Sequence, residues 1–294
     1  MKGIVVTGAS GVVGGALLRR LSGEPEMDII ALSRRDMSGT GPEGVSWRTT
    51  DYSVKSLTEL LEGAYAVVHL AGSDGTKADL SDYDGDLAIT DNLLKASAEC
   101  GVERFIYASS RLVYGNPDNI PWTEETAPEP RSAYGVNKIR CEELCRSYSE
   151  KSGMKVIAVR IAQVLSETGQ MRNMVNVFRD LAGEGKELTV TGRSEAVRQY
   201  IYTGDLAEIL FRLISADVHG FSIINAGMDR AYTNLQIAQA FNRAYGNSIP
   251  VRYDDRKPET ITSSVMDVEK LKRLTGFVPG DMDETLRRMA NSRI

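Results

Sequence analysis

Cysteine is scarce in this 294-residue chain: there are three, Cys100, Cys141 and Cys145, and they make no disulfide framework. Cys141 and Cys145 stand four apart in a helix-like stretch with no histidine or further cysteine nearby. A metal site there lacks ligands, and inert thiols are expected. Such cysteine usage fits a reducing compartment, so a cytoplasmic location is expected. Nor is there an excess of basic residues, since 35 Lys and Arg face 40 Asp and Glu for a net charge of −5. That argues against binding along a nucleic-acid backbone, which needs clustered cations. A small anionic ligand held by one or two arginines stays open. Long hydrophobic runs are also missing. The first apolar run, Ile4–Val6, is far too short for a signal peptide or a membrane span. Neither nucleic acid nor membrane is expected as a partner, and no repeat or low-complexity tract appears.

What is present suits a globular domain. Hydrophobic residues make up 42% and charged residues 26% of the chain, enough to bury a full core. In the first half, strand-like runs at Ile4–Thr7, Ile29–Leu32, Val45–Thr49, Ala66–Leu70, Arg104–Ser109 and Lys155–Val159 alternate with helical patterns at Gly11–Leu21, Ser53–Leu61, Asp86–Cys100 and Ser132–Lys151. This alternation predicts an α/β fold, a doubly wound parallel sheet of the Rossmann type that binds ligands at the carboxyl ends of its strands. The second half is less regular. Helices are predicted at Asn173–Ala182, Asp205–Leu213, Asn234–Tyr245, Asp267–Thr275 and Met282–Met289, with strands at Leu188–Val190 and Phe221–Ile224. The implied organisation is a dinucleotide-binding domain over residues 1–165, rejoined by a segment near 194–226. A smaller C-terminal substrate-binding lobe takes 166–193 and 227–294. Pro117, Pro121, Pro128 and Pro130 cluster in a loop beside the expected ligand edge.

Two motifs carry chemistry. Thr7-Gly8-Ala9-Ser10-Gly11-Val12-Val13-Gly14 follows a strand and opens a helix. Gly8 permits the tight turn, Gly11 the close approach of a pyrophosphate, and Gly14 close helix–strand packing; free N–H groups at the helix start favour phosphates. The alternative is a plain glycine-rich turn. At the end of the second strand, Ser33-Arg34-Arg35 suits the 2′-phosphate of NADP better than the free ribose of NAD, so NADP is placed ahead of NAD. Asp36 is the competing acid if that strand runs longer, and a solvated turn is the bland reading. The second motif is Tyr134-Gly135-Val136-Asn137-Lys138, whose Tyr and Lys share a helix face. A lysine ammonium beside a phenol favours proton transfer at its oxygen. The spacing alone is commonplace, but Ser109 and Ser110 end a strand about 20 residues upstream, at the ligand edge. There Ser110 is placed to hydrogen-bond a reacting oxygen or, more simply, to close a turn.

The glycine motif, Val67-Val68-His69-Leu70-Ala71-Gly72, Ser109-Ser110-Arg111-Leu112-Val113-Tyr114-Gly115 and Tyr134 with Lys138 occur in the order found in extended short-chain dehydrogenases/reductases. Arg198-Gln199-Tyr200-Ile201-Tyr202-Thr203-Gly204-Asp205-Leu206-Ala207 continues the likeness, which extends to about Thr275. The chain most resembles nucleotide-sugar 4-epimerases such as those acting on UDP-glucose or UDP-N-acetylglucosamine. The resemblance implies catalytic roles for Ser110, Tyr134 and Lys138. It places Gly8, Ser10, Gly11, Val12, Val13, Gly14, Ser33, Arg34, Arg35, Asp51, Tyr52, Leu70, Ala71, Gly72, Ser109, Tyr134 and Lys138 against NAD or NADP, with Asp51 at the adenine; a helix-start role competes for Asp51. Toward a UDP-sugar substrate it places Ser110, Arg111, Gln163, Asn173, Leu188, Val190, Arg198 and Arg256. Of these, Arg198 and Arg256 hold the phosphates unless they are surface charges, and Leu188–Val190 meets the base. No metal is implied, and a homodimer through the helices at Asp86–Cys100 and Ser132–Lys151 is.

The chain departs from the family at several positions, among them the run Ile161-Ala162-Gln163-Val164-Leu165-Ser166. Asp86 stands for an asparagine that supports the catalytic lysine, and Gln163 for an asparagine that contacts substrate phosphate. Arg111-Leu112 stands where 4,6-dehydratases carry Asp-Glu, which disfavours water removal. The expected activity is epimerisation through a keto-sugar. An NADP-dependent oxidoreductase is the enzyme rival, and a non-catalytic NAD(P)-binding sensor or scaffold the non-enzyme one.

Overall fold

A computed structural model describes residues 2–167, 174–259 and 262–291. In chain order the strands and helices are β1 (Lys2–Thr7), α1 (Val12–Leu21), β2 (Met27–Ser33), β3 (Val45–Thr49), α2 (Val54–Leu61), β4 (Ala64–His69), α3 (Asp84–Glu99), β5 (Arg104–Ser110), α4 (Ala133–Ser152), β6 (Lys155–Ile161), β7 (Gln163–Leu165), α5 (Met174–Gly183), β8 (Thr189–Thr191), β9 (Val197–Tyr202), α6 (Thr203–Ser215), β10 (Phe221–Ala226), β11 (Ala231–Thr233), α7 (Asn234–Tyr245), β12 (Arg252–Asp254), α8 (Glu269–Thr275) and α9 (Met282–Asn291).

The main sheet has seven strands in the order β10-β6-β5-β4-β1-β2-β3, all parallel. Its strands are apolar on both faces because helices cover both. Ile4 and Val6 of β1 enter the core shared with α1 and α6, while Val5 between them enters the core shared with α2, α3 and α4. The same two-residue alternation sends Ile106 one way and Phe105 and Tyr107 the other. Strand order reverses between β1 and β4, whose last residues, Thr7 and His69, lie in register. That is the switch point where such sheets open a crevice.

A third core lies beyond the sheet, built on Val175, Phe178, Leu188, Val190, Phe241 and Leu286. Two small sheets border it, β11-β9-β7 and β12-β8. The segment after β12 runs along β9, pairing Ser264 with Arg198, and reaches the main domain where Met266 bridges to Trp122.

The predicted elements all form, mostly longer than expected, and the sheet is the doubly wound one the alternation called for. β6 runs two residues past Val159, through Arg160 to Ile161. Strands β7, β9, β11 and β12 were not predicted: each is short or carries buried polar residues that hide the two-residue period. Among the described residues no helix is long and apolar enough to cross a membrane.

Candidate active site

The glycine turn sits at the carboxyl end of β1, beside the switch point. Gly8 has φ +63°, and a Cβ there would fall 2.5 Å from the Leu70 carbonyl carbon. A Cβ on Gly14 would strike the Gly8 carbonyl, so only glycine lets α1 seat this close to the turn. The amino end of α1 has no side-chain cap and no acidic residue in its first turn. Ser10, Gly11 and Val12 are exposed, Val12 to 41%, and Val13 is half-buried. A bare helix start with unshielded N–H groups is a fit for a pyrophosphate, and the cradle is shaped by positions that tolerate no Cβ.

Along the same edge, β2 ends at Ser33, whose Oγ accepts the Arg35 N–H. Arg34 and Arg35 are exposed and make no salt bridge among the described residues. Asp36 is folded into a turn on the Ser38 N–H, so the strand does not run long enough to present it as the ribose acid. Asp51 is also exposed and accepts the Ser53 N–H. Ser53, not Asp51, caps α2 by accepting from Ser56, which leaves Asp51 at the edge, two residues before the cap. Tyr52 lies in the left-handed region at φ 61°. Its N–H goes to Thr50 Oγ1 and its carbonyl takes the Asn92 amide, so surrounding contacts hold this strained residue in place.

The loop after β4 is fixed from below. Thr7 Oγ1 accepts the Leu70 and Ala71 N–H groups at 3.2 Å each and lies 2.7 Å from His69 Nδ1. His69 Nε2 is 3.0 Å from Thr90 Oγ1, which donates to the Asp86 carbonyl. These bonds assign a neutral ring with its proton on Nε2. Burial, and to a lesser extent the Lys138 charge, pushes His69 down to about 3. Asp86 accepts from Ser73 N and Ser73 Oγ. Its carboxylate and the Lys138 ammonium both flank Gly72, at 3.6 and 3.9 Å from a Cβ built there.

The catalytic candidates meet where α4 begins. Ser132 caps α4 by accepting the Gly135 N–H. Gly135 lets the first turn of α4 press on the Leu112 carbonyl, where any Cβ would collide. Leu112 belongs to the 3₁₀ turn Arg111–Val113, which Ser110 caps by accepting the Leu112 N–H at 3.2 Å. Tyr134 is half-buried, edge-on to Tyr83 with ring centroids 5.8 Å apart. Lys138 is buried, donates to the Ala108 carbonyl at 2.8 Å, and holds its Nζ 5.4 Å from the centre of the Tyr134 ring. The structure thus brings Ser110, Tyr134 and Lys138 to one edge with the Leu70–Gly72 loop.

Beneath them lies a network the sequence reading missed. Glu142 of α4, nine-tenths buried, accepts the Ser109 hydroxyl and two Arg160 N–H groups, at 3.0 and 2.7 Å. It ties the ends of β5 and β6 to α4. The signal was available: Arg160 is a charge inside an apolar run, which needs a partner when buried.

The substrate candidates divide. Gln163 opens β7 beside Tyr200. Arg198 donates to Asn234 Oδ1 at 2.8 Å, while its Nε is buried without a hydrogen-bond partner among the described residues. Arg111 is half-buried and donates to Ser264 Oγ at 3.1 Å. Gln199, on the opposite face of β9, is fully buried and clamps Met228 and Met266 through their backbones. Leu188 and Val190 point into the third core, and the Leu188 carbonyl accepts from Arg252 N, so neither side chain faces an open cleft. Arg256 is 81% exposed and ion-paired with Asp254 at 3.0 Å, a charge at the surface. Asn173 lies outside the described residues.

Residues 4–227 match the model of the NAD dependent epimerase/dehydratase family. A UDP-glucose 4-epimerase of Azospirillum brasilense is 25% identical over 94% of the chain and 87% of its own length. UDP-glucose 4-epimerase 2 of rice is 31% identical over 66% of the chain, and the chain spans only 54% of that relative. Among solved structures, the UDP-N-acetylglucosamine 4-epimerase of Bacillus cereus superposes with a TM-score of 0.90 at 27% identity, covering 99% of each chain. A UDP-glucuronic acid 4-epimerase of Bacillus cereus, solved in complex with NAD, shares the fold with a TM-score of 0.84 at 21% identity over 99% of each chain.

Proposed function

The chain belongs to the NAD dependent epimerase/dehydratase family, and from that premise we propose that it is an enzyme that epimerises a nucleotide-linked sugar, a UDP-sugar, through a keto-sugar. The observation that carries this reading is the gathering of Ser110, Tyr134 and Lys138 beside the glycine cradle.

When bound, the nicotinamide cofactor supplies a reversible hydride acceptor. Gly8, Gly11 and Gly14 let its pyrophosphate approach the amino end of α1. The chain's own groups manage the proton. The Tyr134 oxygen, as phenolate beside the Lys138 ammonium, takes the proton of the sugar hydroxyl as the ketone forms, and the resulting phenol returns it when the ketone is reduced. The Ser110 hydroxyl, at the end of β5, hydrogen-bonds the same sugar oxygen. Lys138, held on the Ala108 carbonyl, supplies positive charge beside the phenol. Asp86 and Ser73 fix the loop over Gly72, and Arg198 anchors the diphosphate while the ketone turns over. A homodimer contact falls on α3 and α4 by resemblance.

Tyr134→Phe tests the scheme: turnover falls by about 100- to 10,000-fold, as for loss of a general acid–base, while cofactor affinity is kept. Unchanged turnover would refute it. One observation favours a second reading. Arg34 and Arg35, at the end of β2 and without a salt bridge among the described residues, suit a 2′-phosphate and so NADP, which also serves a net oxidoreductase. Absorbance in the nicotinamide band separates the two: it stays constant through epimerisation and changes in step with product for a reductase.

A further inference from the structure

Helix α7 opens on an asparagine, a residue that helices favour at the cap rather than inside the first turn. Its cap is already filled. Thr233 Oγ1 accepts the Gln236 N–H at 3.2 Å, and the Gln236 side chain accepts the Thr233 N–H at 2.9 Å. Helix formation therefore leaves the Asn234 amide without a task. The turn that carries it is firmly held: the Leu235 N–H goes to Ser194 Oγ at 2.8 Å. Tyr232, two residues before Asn234, pairs with Arg198 in the β11–β9 ladder. This frame delivers Asn234 Oδ1 to the half-buried Arg198 guanidinium, where it accepts from Nη2 at 2.8 Å. The second contact of Nη2 is Met174 Sδ at 3.7 Å. Both partners are neutral. A carboxylate in the same place would orient the cation and neutralise it at once, whereas an amide oxygen orients it and leaves its charge whole.

We propose that Asn234 is a positioning residue for substrate binding: it sets the Arg198 guanidinium before the diphosphate arrives and, being uncharged, leaves that cation to the diphosphate. This rests on the epimerase reading above, in which Arg198 anchors the diphosphate. Ordering a long, flexible side chain at the moment of binding costs affinity. The bond to Asn234 makes that ordering part of folding instead. The amide acts through Arg198 rather than on the substrate. Its neutrality is the telling feature, because a carboxylate at position 234 would suit the start of α7 better and the ligand worse.

The test is calorimetric titration of the NAD-loaded protein with UDP, read beside its melting temperature. The variants are Asn234→Ala, Asn234→Asp, Arg198→Met and the double variant Asn234→Ala/Arg198→Met. Asn234→Ala weakens UDP by about three- to tenfold, the worth of ordering one long side chain, and by less than about twofold in the Arg198→Met background. Asn234→Asp moves the two readouts apart. Its melting temperature holds or rises, since the carboxylate pairs with Arg198 and suits a helix start, while UDP binds at least about tenfold more weakly to a cation already neutralised. A merely structural role would move stability and affinity together. The proposal is overturned by an Asn234→Ala loss as large without Arg198 as with it, or by Asn234→Asp binding UDP as tightly as the natural chain. Arg198→Met tests the underlying reading separately. Unchanged UDP affinity there removes Arg198 from the diphosphate and the proposal with it, whereas affinity lost there but kept in Asn234→Ala refutes the positioning role alone.

Discussion

Replacing Glu142 by Gln keeps the size and shape of the side chain but leaves the buried Arg160 cation without a counter-charge. The pair is 2% and 6% exposed, and Arg160 Nη1 already lacks a partner among the described residues. The remaining group over the cation is the Tyr114 ring, 4.7 Å away, and it cannot neutralise the charge. Breaking a buried pair by removing one partner costs about 3–5 kcal/mol. Unfolding entropy of about 2.1 cal/mol/K per residue gives the chain roughly 0.6 kcal/mol/K, so the melting temperature falls by about 5–8 °C. Scanning calorimetry on Glu142→Gln, Arg160→Met and the double variant Glu142→Met/Arg160→Met reads it. The double variant should recover much of the loss, since matched apolar replacements remove both desolvated charges. A drop under about 1 °C in Glu142→Gln, or a double variant as damaged as the sum of the singles, would show that this pair does not hold β5, β6 and α4 together.

Other outcomes follow from the same structure. Gly14→Ala pushes a methyl into the Gly8 carbonyl and should abolish cofactor binding in a fluorescence titration, with the melting temperature of the cofactor-free protein lowered. Arg34→Ala/Arg35→Ala should weaken NADP at least tenfold and leave NAD within about threefold, two lost charge-assisted hydrogen bonds being worth about this much or more; equal effects on both cofactors would remove the arginines from the 2′ position. His69 is held at about 3 in the folded chain against 6.5 when free. The unfolded chain therefore binds the extra proton within that window. The stabilisation is complete above pH 6.5 and is lost as pH falls toward 3, at about 1.4 kcal/mol per pH unit. Between pH 7 and 5, urea unfolding should show the natural protein losing about 2 kcal/mol more than His69→Gln.

Much of this was legible residue by residue. The glycine turn, the strand ends and the Tyr134–Lys138 pair are contiguous or helically spaced, and local geometry dictates what such patterns do. Arg160 was harder: a charge after Val159 reads as the end of a strand, because its partner Glu142 is 18 residues away and only the fold brings them together. Strand β9 is hidden in the sequence, since Arg198 and Gln199 are polar, and their burial depends on Asn234 and on the backbones of Met228 and Met266. Arg256 and Arg111 show the same limit from opposite sides. Both read as plausible cations, but one turns out to water with Asp254 and the other turns in toward Ser264. Orientation of this kind is a tertiary property that spacing does not encode.

The clamp formed by Gln199 has a consequence for how such an enzyme changes its diet. Its amide fastens β9 to the backbones of Met228 and Met266 from behind, so the strand's position does not depend on what Arg198 offers to the cleft. A lineage, or an engineer, can exchange the cleft-facing residue for another without loosening the frame, whereas any change at Gln199 disturbs three segments at once. Novelty is therefore cheap on one side of this strand and expensive on the other.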